Sequence, residues 1–152
     1  MAEMNNLSPY SVVAVAALLL AAPAVALFVD VQFIGGVDIA AFSTWNWAKG
    51  SPLPNQEVER ATRATIVELM ALKGYTKVEG EADCYIAIHA EADEWFDGGL
   101  FKVEALDGKT SKTVWRGKAE GTVNVQSTGK RQKLAVRTVK KMFKKFPDKR
   151  IE

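Results

Sequence analysis

Apolar and polar residues alternate in five stretches of this chain. Successive side chains of a β-strand point to opposite faces, so a period of two predicts a strand with one buried side. In the first stretch, Val29, Val31 and Phe33 share one face. The five predicted strands are Phe28–Ile34, Thr44–Ala48, Asp83–Asp93, Leu100–Leu106 and Lys112–Val125. The pair Asp107-Gly108 predicts a tight hairpin turn before the last strand.

Two longer stretches have apolar residues at spacings of three and four, which is typical of an amphipathic helix. The first is Gln56–Lys73, with Asn55 as a suitable N-cap and Gly74 as a suitable left-handed stop. Its predicted buried stripe is Val58, Thr62, Thr65, Leu69 and Leu72. The second is Thr128–Phe146, with the stripe Ala135, Val139, Met142 and Phe146, and Pro147 ends it.

The last predicted strand places one large side chain ahead of three very small ones on the same face. These residues are Trp115, Gly117, Ala119 and Gly121. A helix comes closest to a sheet where the sheet offers no side chains, and glycine inside a strand often marks such an approach. The pattern predicts that an amphipathic helix lies over this strand. Together these elements predict an α+β fold, an antiparallel sheet with both helices on one face.

An apolar leader precedes the predicted domain. Val12–Val29 is an unbroken apolar run, and the small residues Ala24 and Ala26 around Val25 resemble a signal-peptidase site. The positively charged start of a typical signal peptide is missing, since the first ten residues contain no Lys or Arg. On the apolar run and the small residues we expect residues 1–26 to be a signal peptide or, alternatively, an uncleaved membrane anchor. Residues 27–152 form the single predicted domain.

The charged residues are unevenly distributed although the formal net charge is only +2. Residues 79–107 contain nine acidic residues and one lysine, whereas residues 127–152 contain ten Lys or Arg and two acids. Attraction between the two regions inside one fold is the simplest interpretation. The small net charge and the expected export argue against a nucleic-acid partner.

Residues suited to catalysis are few. His89 is the only histidine, and it shares a predicted strand face with Tyr85, Glu91 and Asp93. This row could bind a divalent cation or serve an enzyme, but a solvated outer face is the preferred interpretation. Cys84 falls on the apolar side of its strand, which predicts a buried, inert thiol. The sequence predicts no catalytic residue, metal site or cofactor.

The second predicted helix carries many cations around its apolar stripe. We take Arg137, Lys140, Lys141, Lys144 and Lys145 as a candidate interaction surface. The same pattern occurs in helices that lie on anionic lipid. Three interpretations stay open: the cations are simply solvated, they contact anionic lipid or another envelope component, or they bind nucleic acid, which is not expected.

Several short motifs occur in an order that resembles a known bacterial family. They are Asp38, FSTWNW at 42–47, LKGYTKVE at 72–79, ADCYIAIHAEA at 82–92, LDGKTSKTVWRGKAEG at 106–121 and the pair Phe146-Pro147. This order resembles domain-of-unknown-function family 4136, whose members are exported envelope proteins and often lipoproteins. The resemblance implies an α+β fold with two helices on one face of an antiparallel sheet. It implies no activity, and the lipid-attachment cysteine of many members is missing here.

The sequence thus predicts an exported protein of the bacterial periplasm or cell envelope that acts as a non-catalytic binding or structural module. One alternative is an enzyme or metal-binding protein that uses the acidic strand face around His89. Another is association with a membrane surface through the basic C-terminal helix. The partner is unknown, with envelope components and anionic lipid as the candidates.

Overall fold

The computed structural model describes residues 25–51, 53, 55–91, 97–123 and 127–151. The elements are β1 (Val25–Phe33), a 3-10 turn (Ile39–Ala41), β2 (Thr44–Trp47), α1 (Gln56–Leu72), β3 (Thr76–Lys77), β4 (Cys84–Glu91), β5 (Asp97–Asp107), β6 (Thr113–Val123) and α2 (Thr128–Phe143). The α+β class is confirmed. Residues 1–24 lie outside the described part, so the leader stays a prediction, and Val25 and Ala26 are the first residues of β1.

The sheet is mixed, and the prediction of a purely antiparallel sheet is wrong. The strand order is β1-β6-β5-β4-β2-β3. The first four strands in this order pair antiparallel, whereas β2 runs parallel to both β3 and β4. The reason lies in the connection, because α1 links β2 to β3 as a crossover. A helical crossover returns the chain in the same direction and therefore joins parallel strands.

One hydrophobic core lies between the sheet and the two helices. On β4 and β5 the core residues alternate, as in Ile86 and Ile88 or Phe101 and Val103, so they come from one face. Both helices contribute buried residues to this same cluster. The prediction that the two helices pack on one face of the sheet therefore agrees with the structure.

Helix α1 begins as the sequence predicts. The side chain of Asn55 accepts hydrogen bonds from the backbone N–H groups of Glu57 and Val58 at 3.0 and 3.2 Å. At the other end Gly74 has a positive φ of 94°, which is the left-handed conformation that favours glycine. The predicted stripe fails only in the last turn. There Met70 is fully buried and Leu72, two positions further around the helix, is 84% exposed.

Helix α2 ends at Phe143, one turn before the predicted end at Phe146. The backbone N–H of Phe146 still donates to the carbonyl of Phe143 at 3.0 Å. Phe146 also stays in the core, with its ring stacked on Phe143 at 5.2 Å between centroids. The helix therefore tightens into a turn, and the apolar stripe continues past it.

The strand with small residues is covered by α2, as predicted. The rings of Phe143 and Phe146 lie 5.3 and 5.0 Å from the fully buried ring of Trp115. A Cβ atom added at Gly117 would lie 2.9 Å from the Cγ and Sδ atoms of Met142. Glycine at this position is what lets the helix lie so close to β6. The surroundings of Gly121 lie outside the part that can be described.

The chain after α2 forms hydrogen bonds with the chain at the C-terminal end of α1. The hydroxyl of Tyr75 donates to the carbonyl of Pro147 at 2.9 Å, and burial raises the pKa of Tyr75 far above its usual range. The backbone N–H of Lys149 donates to the carbonyl of Lys73 at 2.8 Å. These bonds bring the C-terminal ends of α1 and α2 side by side.

Gly117→Ala tests the approach of α2 to β6. The new methyl group has no room beside the fully buried Met142. We expect the free energy of unfolding to fall by about 1–3 kcal/mol, which is typical of overpacking a core. Urea unfolding followed by tryptophan fluorescence measures this.

The matched control is Gly80→Ala, because a Cβ atom at Gly80 meets no atom within 4 Å. We expect the control to change stability by less than about 0.5 kcal/mol. Equal stabilities of the two variants would show that α2 does not depend on the glycine.

Candidate functional site

The five cations that the sequence singles out lie together on the solvent side of α2. Arg137, Lys140, Lys141, Lys144 and Lys145, which we call the basic surface, are all exposed. The opposite side of α2 packs into the core, where Ala135, Val139, Met142 and Phe143 are completely buried. The helix therefore offers solvent a face whose charged residues are all basic.

The basic surface is not neutralised within the described part of the chain. None of its five side chains forms an ion pair there, whereas Arg116, Lys73 and Arg150 each pair with an acid. Helix α2 itself contains no acidic residue. Like charges four positions apart, such as Lys140 and Lys144, cost about 0.2–0.5 kcal/mol per pair. Favourable interaction with the helix dipole near the C-terminus offsets part of this cost.

A second charged cluster lies on the outer face of the sheet around Glu104. This residue is only 8% exposed. Its Oε2 atom accepts hydrogen bonds from Thr113 Oγ1 at 2.9 Å and from Arg116 at 3.2 Å. Burial alone would raise the pKa of Glu104, but the hydrogen bonds from Thr113 and Arg116 outweigh it and hold that pKa below its usual range. Glu104 is thus a buried carboxylate held charged by its neighbours.

The predicted row around His89 is brought together only in part. Tyr85 and His89 lie on the outer face of β4, while the side chain of Glu91 and all of Asp93 lie outside the described residues. His89 Nε2 is 3.6 Å from Glu104 Oε1. The Tyr85 hydroxyl accepts a hydrogen bond from the N–H of Ala82 at 3.1 Å. Both groups are therefore engaged by the fold, and the pairing with Glu104 was not predicted.

Cys84 is placed as the sequence predicts. Its thiol is buried on the core side of β4, with 1% of the residue exposed. Burial raises the pKa of the Cys84 thiol to about 12. A thiol with such a pKa stays protonated at neutral pH, and it is the thiolate that acts as a nucleophile.

The structure also forms an open cleft of about 720 Å³ that the sequence did not indicate. It lies where β2, the start of β4 and the β5–β6 turn meet, and it is lined by Ala41, Phe42, Thr44, Glu81, Ala82, Asp83, Tyr85, Asp107, Gly108 and Lys109. Asp83 Oδ2 accepts hydrogen bonds from the N–H groups of Ser43 and Thr44 at 2.9 and 3.2 Å. The bond from Ser43 is the main cause that lowers the pKa of Asp83. Asp83 therefore serves to join two strands at the cleft.

Among the described residues, no group of three or more His, Cys, Asp or Glu side chains is arranged to hold a metal ion. No helix in the same ranges combines the length and the apolar character needed to cross a membrane.

Comparison with protein families gives one match. The model of the family described as "Domain of unknown function (DUF4136)" matches residues 29–148. No curated protein matches the chain.

Solved structures share the fold at low sequence identity. A DUF4136 family protein from Bacteroides thetaiotaomicron has a TM-score of 0.59 and 15% identity, with 78% of this chain and 94% of that chain covered. The PelC dodecamer from Paraburkholderia phytofirmans has a TM-score of 0.55 and 8% identity, with 83% and 100% covered. A PDZ domain protein from Parabacteroides distasonis has a TM-score of 0.62 and 16% identity, with 91% and 40% covered.

Glu104→Gln tests the buried cluster. The variant removes the charge that Arg116 and Thr113 stabilise, and we expect it to lower the free energy of unfolding by about 1–3 kcal/mol at pH 7. Because the folded-state pKa lies below the unfolded value of about 4.3, this stabilisation is complete above that pH and is lost as the pH falls through the folded-state pKa. Urea unfolding at pH 7 and at successively lower pH should show the difference between the two proteins shrinking.

The control for this series is Glu120→Gln, whose side chain is 67% exposed and lies 3.9 Å from Lys118. We expect a change below about 1 kcal/mol at every pH. A difference between wild type and Glu104→Gln that stays constant into acid would contradict the assignment of a charged Glu104.

Proposed function

The chain belongs to the DUF4136 family, and we propose that it is an exported protein of the bacterial envelope that acts as a non-catalytic binding module. Its binding site is the basic surface of α2, and its partner is an anionic component of the envelope. The observation that carries this proposal is the clustering of five exposed cations on one face of α2. The basic surface is exposed and has no described acidic partner, while Glu104 and Asp83 are used inside the fold.

The predicted leader supports export, and its removal would leave most of β1 in place. Cleavage after Ala26 leaves Leu27–Phe33, which is seven of the nine residues of β1. In the intact strand Leu27 pairs with Gly121 and Phe33 with Trp115. The mature chain would therefore keep most of the β1–β6 ladder. An uncleaved anchor remains the alternative form of the same proposal.

The enzyme or metal-binding alternative has less support. It depends on His89, Glu91 and Asp93 acting together, but the Glu91 side chain and Asp93 lie outside the described residues, and His89 lies beside Glu104. A general base must lie within hydrogen-bond reach of its substrate, and the open cleft of about 720 Å³ is lined by Asp83 and Tyr85 but not by His89. The binding module is the function that the geometry supports best.

The export proposal predicts a specific N-terminus. In fractionated cells the protein should be found in the periplasmic or envelope fraction, and N-terminal sequencing should give a start near Leu27. An anchored form should instead keep Met1 and sediment with membranes. An intact Met1 in the cytosolic fraction would contradict the proposal.

The binding proposal predicts that charge position matters more than net charge. Two triple variants each remove three exposed cations. The first changes the basic surface and carries Arg137→Gln, Lys140→Gln and Lys144→Gln. The control carries Lys49→Gln, Lys109→Gln and Lys112→Gln. We expect the first triple variant to elute from immobilised dextran sulfate at clearly lower salt than the control, because clustered cations bind a polyanion together. Co-elution of the two variants would show that the basic surface has no special role.

A further inference from the structure

The two helices lie side by side and point in the same direction. Near their starts, Gln132 of α2 lines a groove with Arg60, Ala61 and Ala64 of α1. Near their ends, the rings of Tyr75 and Phe146 are 5.7 Å apart, and the Lys149 N–H donates to the Lys73 carbonyl. The C-terminal end of α1 therefore lies beside the C-terminal end of α2, where most of the basic surface is.

An exposed leucine lies at this end of the helical layer. Leu72 is 84% exposed. It follows Ala61 by eleven residues, and at 3.6 residues per turn the two lie on nearly the same side of α1. Since Ala61 lines the groove toward α2, Leu72 lies on the side of α1 that faces α2, at the end of the layer where the C-terminal ends of both helices meet.

An exposed phenylalanine lies on the other side of α2. Phe33 is 58% exposed and pairs with Trp115, whose ring is covered by Phe143 of α2. Phe33 alternates with Val29 and Val31, which pack against the core, so it points to the helical face of the sheet. Phe33 therefore lies in the sheet layer beneath the end of α2, on the opposite side of the helix from the basic surface.

We propose that this helical face docks on an anionic lipid bilayer. The cations of the basic surface contact the headgroup phosphates, while Leu72 enters the boundary between headgroups and acyl chains. This proposal rests on the proposed function, because it uses the same basic surface and names its partner. Cations beside an exposed apolar side chain favour a bilayer over a soluble polyanion, since only the bilayer removes the apolar residue from water.

The docking surface is separate from the leader. The leader joins the domain at Val25, which pairs with Val123 at the end of β6. Phe33 lies eight residues away along β1, a distance of about 26 Å at 3.3 Å per residue. The end of α1 that carries Leu72 lies near the Phe33 end of β1, because Tyr75 and Trp115 both contact Phe146. A probe at Leu72 is therefore remote from the point where the leader joins the domain.

The test uses the full chain with one environment-sensitive fluorophore. Leu72→Cys supplies an exposed thiol, and the native Cys84 does not compete, because it is buried and its pKa is raised to about 12. We expect a blue shift and stronger emission when phosphatidylglycerol–phosphatidylcholine vesicles are added, but not with phosphatidylcholine alone. The control label at Gln32→Cys, on the exposed outer side of β1, should not respond.

Neutralising the basic surface gives the second measurement. Both triple variants are made in the labelled Leu72→Cys protein. The basic-surface variant (Arg137→Gln, Lys140→Gln, Lys144→Gln) should bind the anionic vesicles about 100-fold more weakly than the parent protein. The control variant (Lys49→Gln, Lys109→Gln, Lys112→Gln) should weaken this binding far less. Raised salt should also release the wild-type label from the lipid.

The outcomes separate this inference from the proposed function. Binding to dextran sulfate through the basic surface, with no response of the residue 72 label to anionic vesicles, would overturn bilayer docking and leave the binding module intact. An equal response with phosphatidylcholine, or a response that survives the basic-surface variant, would also overturn docking. If the wild-type protein binds neither dextran sulfate nor anionic vesicles, both the bilayer docking and the proposed binding module are overturned.

Discussion

The close contact between α2 and β6 determines how the rest of the molecule is arranged. Gly117 leaves space for Met142, and the neighbouring ring of Trp115 packs against the rings of Phe143 and Phe146. This packing buries the apolar stripe of α2 completely, so the helix has no apolar face left to offer. The exposed charged residues of α2 are all cations, and the binding surface that we propose is a direct consequence of how the core is filled.

Two of the motifs that carry the family resemblance have structural roles. In Gly74-Tyr75, the glycine takes the positive φ that ends α1, and the tyrosine hydroxyl holds the chain after α2. In Trp115-Arg116-Gly117, the first and last residues form the contact with α2, while Arg116 pairs with the buried Glu104 on the other face. These motifs therefore explain a shared fold, and they are no sign of a shared reaction.

The sequence predicted what depends on local periodicity and could not predict what depends on strand neighbours. Both helices, the small-residue strand under α2 and the basic surface follow from spacings of two, three and four residues. The parallel pairing of β2 was missed, because β3 has only two residues and shows no period. The partners of Glu104 and Asp83 were missed for a related reason. His89 and Ser43 reach them only through the register and order of the strands.

The contact between Gly117 and Met142 can be observed directly by NMR spectroscopy. If α2 lies on β6 as described, the α-protons of Gly117 show strong nuclear Overhauser effects to the side-chain protons of Met142. The same spectra should place the ring protons of Trp115 next to Phe143. If Met142 shows contacts to solvent-exposed groups and none to Gly117, α2 does not use its apolar face in the core, and the argument for a purely basic outer face is contradicted.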